Sequence, residues 1–382
     1  MTEPIEPFEI HVDDAVLDDL RDRLARTRFA PDLDGAGWEY GVPPGYLREL
    51  TEYWRHEYDW RAHEAGLNAL EHFATRIDDQ TIHFVHARSH RRDAVPLLLT
   101  HGWPGSIVEF LDVIPRLTDP EAWGGDPGDA FHVVVPSLPG YGFSGPTTAP
   151  GWNVARVARA FIVLMARLGY DRYAAQGGDW GAQVTTRIGA WDPEHCLAIH
   201  VNMPLADPPE EAVALGDDER ADLAALAAFR REESGYAIEQ QTKPHTVGAG
   251  LEDSPAGLLA WIVEKFRTWS DCDGDVERRF TKDQLLDNVM LYWLTGTAHS
   301  AGRLYYEAEQ TGTFLADRKV EVPVGVAAFP AEIIRPPRRW AEPRYDLRHW
   351  TEMPRGGHFA AFEEPQLLVD DVRKFFRPLR IR

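Results

Sequence analysis

Between Thr81 and Val201 short apolar runs alternate with amphipathic helical segments, and this alternation restricts the chain to an α/β class with a mostly parallel sheet and helices on both faces. Thr81–Ala87, Val95–Thr100, His132–Val135, Arg172–Gln176 and Leu197–Val201 read as strands. Val95–Thr100 and His132–Val135 are apolar nearly throughout, as in strands buried on both sides. Val154, Val157, Ala158, Phe161, Met165 and Leu168 recur at helical spacing after Asn153 as a cap, with Gly169 as the stop. Gln183–Ala190 is the next expected helix. After Asn202 the alternation lapses into charged helical sequence (Asp218–Glu232, Gly257–Trp269, Lys282–Thr295), then resumes with strand Val322–Phe329 and helix Gln366–Phe376.

Length agrees with a core carrying attached modules, since 382 residues at roughly 150 per domain make about two and a half units. The expected divisions are an N-terminal extension over 1–75, a first core part over 76–204, a helical cap over 205–318, and a second core part over 319–382. In the extension, Asp13/Asp14 offer a helix cap followed by Val16, Leu17, Leu20 and Leu24. The aromatic stretch Trp38–Arg61 reads as an apolar strap over a larger core rather than as a catalytic element.

Charge narrows the partners. Forty Lys plus Arg against 61 Asp plus Glu give 40 − 61 = −21, a surface that repels phosphate backbones and excludes nucleic acid as the expected partner. No stretch approaches the ~18 uninterrupted apolar residues of a membrane span, and MTEPIEPFEI has no secretory pattern, so the cytoplasm is the expected address. Cys196 and Cys272 allow at most one disulfide and no cysteine-ligated metal.

Three segments carry chemistry. Gly177-Gly178-Asp179-Trp180-Gly181 lies at an expected strand-to-helix junction, where flanking glycines permit a turn sharp enough to lift the central side chain above the sheet. Alone, the pentapeptide also suits an ordinary turn. His101-Gly102-Trp103-Pro104-Gly105 follows the buried strand Val95–Thr100, so the main-chain N–H of Trp103 can point where the N–H of Trp180 points, forming an oxyanion hole. Gly356-Gly357-His358-Phe359, ahead of Glu363-Glu364-Pro365, places a histidine after the last strand, where the base of a nucleophile–acid–His order falls. Glu332, 358 − 332 = 26 residues upstream, is the nearest acid to the end of Val322–Phe329, and Asp346 is its competitor. The other histidines, among them His83, His86 and His195, show no ligand-like setting, and no metal is expected.

With these segments in view, the chain resembles the α/β-hydrolase-fold epoxide hydrolases of the microsomal type, a group with an N-terminal extension. The likeness rests on Tyr53-Trp54 through Asp59-Trp60-Arg61, Ile82-His83-Phe84, His101-Gly102-Trp103-Pro104-Gly105-Ser106, Pro139-Gly140-Tyr141-Gly142-Phe143-Ser144, and the Asp179 and His358 motifs, and so covers nearly the whole chain. It implies an α/β-hydrolase fold with the helical cap inserted after the sixth strand. It also implies Asp179 as nucleophile, His358 as base, Glu332 as supporting acid, and two cap tyrosines that fall on Tyr236 and Tyr305, with Tyr306 a rival for the second. Trp103, Pro104 and Trp180 are expected to line the substrate site.

An ionised Asp, with a usual pKa of about 3.9, attacks an epoxide carbon without first losing a proton, and the tyrosines would protonate the alkoxide. His358, oriented by Glu332, would then activate water against the resulting ester, giving a vicinal diol without metal or organic cofactor. A haloalkane or haloacid dehalogenase would share the Asp nucleophile but require halide-binding donors in place of the tyrosines. A ligand-binding protein without turnover is the alternative of another class. Thirteen Trp and 12 Tyr favour an apolar or aryl-substituted epoxide as the small-molecule partner. The resemblance is compatible with detoxification or natural-product assembly, and with a homodimer.

Overall fold

A computed structural model describes residues 3–206 and 215–380; residues 207–214, at the start of the expected cap, and the outermost two residues at each end lie outside the described residues. Among the described residues nine strands form one sheet: β1 (Glu6–Phe8), β2 (His72–Ile77), β3 (Gln80–Ala87), β4 (Val95–Thr100), β5 (Phe131–Pro136), β6 (Tyr173–Gly177), β7 (Cys196–Val201), β8 (Val320–Ala328) and β9 (Tyr345–Glu352). Their spatial order is β1-β2-β3-β5-β4-β6-β7-β8-β9. Pairing is antiparallel from β1 to β5 and parallel from β5 through β4 to β9. This is the α/β-hydrolase fold. β6 is buried along its whole length, as are the last four residues of β4 and of β5, which is why their sequences are apolar without alternation.

The antiparallel edge differs from expectation. β2 runs across the 75/76 division, so the extension and the core share a strand. Its sequence, His-Phe-Ala-Thr-Arg-Ile, has no clean period of two. It is held by a hairpin to β3 whose two turn residues, Asp78 and Asp79, both take positive φ (54° and 62°). That turn usually announces itself with Asn-Gly or Asp-Gly, and here it does not.

The helices Pro255–Trp269 and Lys282–Thr295 fall where periodicity placed them. Gly235–Thr242, Pro244–Asp253 and Ala298–Thr311 had no clear periodic signal, because glycines interrupt the apolar stripe. Those glycines are contact points: a Cβ on Gly248 would sit 2.6 Å from His299 Cδ2, and one on Gly302 3.1 Å from Gln240 Oε1. Among the described residues no helix is long and apolar enough to cross a membrane, and both cysteines are buried and free.

The aromatic strap of the extension folds as helices Pro44–His56 and Trp60–Leu67, burying Trp54 and Trp60. Tyr53 Oη donates to Asp283 (2.9 Å) and Tyr58 Oη to Asp287 (2.6 Å), fastening the extension to the cap helix Lys282–Thr295. Tyr58→Phe strips Asp287 of that donor, and losing a hydrogen bond to a charged, largely buried acceptor should cost about 1–3 kcal/mol. Thermal unfolding should show a lower midpoint for the variant; an unchanged midpoint would mean that the clasp contributes nothing to stability.

Candidate active site

β6 ends at Gly177, and two residues later Asp179 takes φ +50°, a left-handed conformation that costs energy for a residue with a Cβ. Helix Asp179–Trp191 starts on it, four residues before the periodic signal at Gln183. The turn closes only over glycine: a Cβ on Gly177 would lie 2.3 Å from Gly181 O, and one on Gly181 1.9 Å from Thr100 O. The carboxylate therefore stands at the carboxyl edge of the parallel strands. The loop after β4 meets it there, with Trp103 N–H donating to Asp179 Oδ1 (2.7 Å). His101, which opens that loop, is not part of the reactive set. Burial pushes its pKa down to about 4, one ring nitrogen lies 2.9 Å from Gly102 O, and the other accepts from Leu138 N–H (3.1 Å).

His358 reaches the same carboxylate. Its Nε2 lies 3.5 Å from Asp179 Oδ2 and its Nδ1 2.6 Å from Glu332 Oε1, with all but a few per cent of its side chain buried. Glu332 Oε1 also accepts from Ile333 N–H (2.7 Å), which fixes the carboxylate behind the imidazole. Asp346, the competing acid, instead pairs with Arg348 and does not face His358. Burial opposes a charged imidazole, yet the Glu332 carboxylate and the hydrogen bond to Asp179 hold the His358 pKa well above its usual value.

Above the carboxylate the cap and the loop form an aromatic box. Tyr236 stacks on Trp103 with ring centroids 4.9 Å apart, Tyr305 meets Trp103 edge-on at 5.8 Å, and the two tyrosine rings are 5.9 Å apart. Burial, then the Asp179 charge, raises the Tyr236 pKa; burial, then Tyr236 and Asp179, does so for Tyr305. Tyr306 is 38% exposed and lines an outer groove beside Arg303, so only Tyr305 of the neighbouring pair reaches the box. Trp180 packs edge-on to Tyr305 at 4.7 Å. Pro104 is buried, and its carbonyl accepts from Asn288 Nδ2 (2.7 Å).

Residues 5–110 match the family described as epoxide hydrolase N terminus, and residues 95–246 match the alpha/beta hydrolase fold. The chain is 42% identical over 405 residues to Epoxide hydrolase 1 of Oryctolagus cuniculus, covering 98% of this chain and 89% of that protein. It is 50% identical over 380 residues to a Stigmatella aurantiaca (strain DW4/3-1) protein likewise named for epoxide hydrolysis, covering 99% and 86%. The chain belongs to the epoxide hydrolase family. Among solved structures, the juvenile hormone epoxide hydrolase from the silkworm Bombyx mori superposes with a TM-score of 0.90 at 37% identity, covering 99% of this chain and 95% of that one. The Aspergillus niger epoxide hydrolase does so with 0.87 at 34%, covering 98% and 97%.

In this epoxide hydrolase, residues that no motif announced also border the candidate site. Asn288 Oδ1 accepts from Ser106 Oγ (2.7 Å) and Tyr292 Oη donates to Gly105 O (2.7 Å), so the cap helix Lys282–Thr295 grips the Trp103 loop. Trp269 O accepts from His358 N–H (2.9 Å). Lys265, buried beside Glu233 and Glu264, holds its ammonium 5.0 Å from the Tyr236 ring centre. Apart from the Lys265–Glu264 pair, these contacts join residues far apart in sequence; on the cap helix Leu285, Asn288, Val289 and Tyr292, at helical spacing, form the buried face.

A methyl group on Gly102 would lie 2.1 Å from Asp179 Oδ1. Gly102→Ala must therefore displace either the carboxylate or the loop, and a shift of about 1 Å at the reacting atoms should lower epoxide turnover by about 10²-fold. Parent-level turnover in a diol-release assay would show that the close approach is dispensable.

Proposed function

We propose that the epoxide hydrolysis carried by this chain runs in two steps, with Asp179 as the nucleophile of the first and His358 as the base of the second. The observation that carries this reading is the line Trp103 N–H, Asp179, His358, Glu332, in which one carboxylate oxygen is held by the loop and the other faces the imidazole. In the first step Asp179 forms a bond to an epoxide carbon, the ring C–O bond breaks, and Tyr236 or Tyr305 gives the alkoxide its proton. The burial-raised tyrosines suit a basic alkoxide, since they keep their protons at neutral pH.

In the second step the charge logic reverses. Alkylation turns Asp179 into a neutral ester, which removes a carboxylate and a hydrogen bond that had kept His358 protonated. The His358 pKa then falls, its Nε2 proton passes to solvent, and the freed Nε2 takes a proton from water as the water oxygen attacks Asp179 Cγ. Trp103 N–H, with that of Trp180, would hold the oxyanion. The acyl C–O bond breaks, the leaving alkoxide recovers a proton from His358, the proton released by the new carboxyl restores the tyrosine, and His358, facing a carboxylate again, takes a proton back from solvent. Trp103, Trp180, Tyr236, Trp261 and Trp269 supply the aromatic walls that support an apolar or aryl-substituted epoxide as substrate. Cytoplasmic residence and a homodimer belong to the same proposal, and cell fractionation and sedimentation velocity test them.

A single turnover in heavy-oxygen water should put the label into the Asp179 side chain before it reaches the diol. Label in the diol alone would mean direct water attack and a different role for Asp179. His358→Gln should still form the ester but hydrolyse it about 10²–10⁴-fold more slowly, so that intact mass shows enzyme plus substrate. In the parent enzyme, preformed ester should hydrolyse faster as pH rises, levelling once His358 has lost its proton; a rate that falls with rising pH would contradict the base role.

The tyrosine assignment is separable from these. Tyr236→Phe/Tyr305→Phe should nearly abolish alkylation, with each single variant losing no more than the ~10²–10⁴-fold of one general acid, while ester hydrolysis stays near the parent rate. A double variant that opens epoxides normally, or an enzyme that releases chloride from haloalkanes, would favour the dehalogenase reading.

A further inference from the structure

Beside Asp179 lies a cavity of about 20 Å³ bordered by Asp179, His358, Gln176, Thr100, Asn202 and Glu109. That is room for the centre of a single water, and the walls are polar enough to hold one. Gln176 and Thr100 are almost fully buried, yet Gln176 Oε1 and Thr100 Oγ1 have no hydrogen-bond partner among the described residues. Polar atoms of this kind are rare in protein interiors and mark places where a small polar molecule completes the bonding.

Glu109 is the carboxyl in this wall to which the two-step reading gives no task. It lies in the short helix Ile107–Phe110 that continues the Trp103 loop, and is 8% exposed. Its position is enforced by Gly105, where a Cβ would fall 1.5 Å from Glu109 Oε1. Burial pushes its carboxyl up to about 8, with the His358 cation pulling down and the Asp179 charge pushing up, so it is largely uncharged at neutral pH. A neutral carboxyl beside an imidazole is a poor ion-pair partner but a good hydrogen-bonding group for water.

We propose that Glu109 is a positioning residue for the second step: it accepts a hydrogen bond from the water in this cavity, orienting that water between His358 Nε2 and Asp179 Cγ. One water proton goes to His358 as the O–Cγ bond forms, and the other stays on the attacking oxygen, held by the Glu109 carbonyl oxygen. The inference rests on the two-step reading above and assigns the water's second contact within it.

The test separates the steps by rapid quench and intact-mass detection of the ester. Glu109→Met keeps the volume and removes the acceptor, so the ester should form at the parent rate and hydrolyse about 10–100-fold more slowly. Glu109→Gln keeps an acceptor oxygen at the same reach and should restore hydrolysis to within a few-fold of the parent, a rescue that a purely structural role would not produce. Glu109→Ala gives a second measure if the Met variant folds poorly, and it too should accumulate ester. Parent-rate ester hydrolysis in the Met or Ala variant, or a Gln variant as slow as Met, overturns the role of Glu109. His358→Gln runs alongside as the control: if it also yields no ester, the two-step reading itself has failed, and that outcome is distinct from a fault in the Glu109 assignment.

Discussion

The site depends on one close approach, that of the loop after β4 to the turn after β6. Parallel neighbours β4 and β6 end side by side, with Thr100 paired to Gly177, so the two loops leave the sheet at the same edge. At that edge Gly102, Gly177 and Gly181 leave no space for a methyl group: the Asp179 side chain fills the space beside Gly102, the Gly181 backbone that beside Gly177, and the Thr100 carbonyl that beside Gly181, while Trp103 N–H donates to the carboxylate so placed. The left-handed backbone of Asp179 is tolerated because the surrounding packing fixes it, and its result is a carboxylate presented to the cap rather than buried in the sheet.

Around that carboxylate the electrostatics are arranged as a sequence of events rather than a static bridge. Asp179 and Glu332 flank one buried imidazole, so the charge on His358 depends on whether Asp179 is ionised. A single covalent change at Asp179 would then alter the protonation of His358 without any movement of the chain. Burial drives Glu109 and the tyrosines the other way, towards their neutral forms, so groups gathered around the Asp179 carboxylate are kept as hydrogen-bonding partners rather than competing charges.

The cap and extension supply what the sheet cannot. Tyr236 and Tyr305 come from two cap helices, Gly235–Thr242 and Ala298–Thr311, which pack closely where Gly302 of the second faces Gln240 of the first. Asn288 and Tyr292 tie the same cap to the Trp103 loop, while Tyr53 and Tyr58 hold the cap helix from outside. Extension, cap and core thus meet along Lys282–Thr295, which links the Trp103 loop to the first sixty-odd residues.

By itself the sequence determined the parallel core, the sharp glycine-flanked turn at Asp179, the glycine-supported His358 and the chain order that made Glu332 its nearest acid, because each is written in local pattern: apolar runs, glycine at forced turns, and spacing along the strand order. β2 escaped that reading because its hairpin turn is Asp78-Asp79 and its side chains do not alternate. The glycine-rich cap helices escaped it because their apolar faces are broken where neighbours touch. Tertiary structure alone decided between Glu332 and Asp346 and between Tyr305 and Tyr306, and brought Glu109, Asn288 and Lys265 to the site. Those outcomes depend on which way a side chain points and on what lies across a gap of many residues, quantities fixed by packing between elements and absent from the pattern within any one of them.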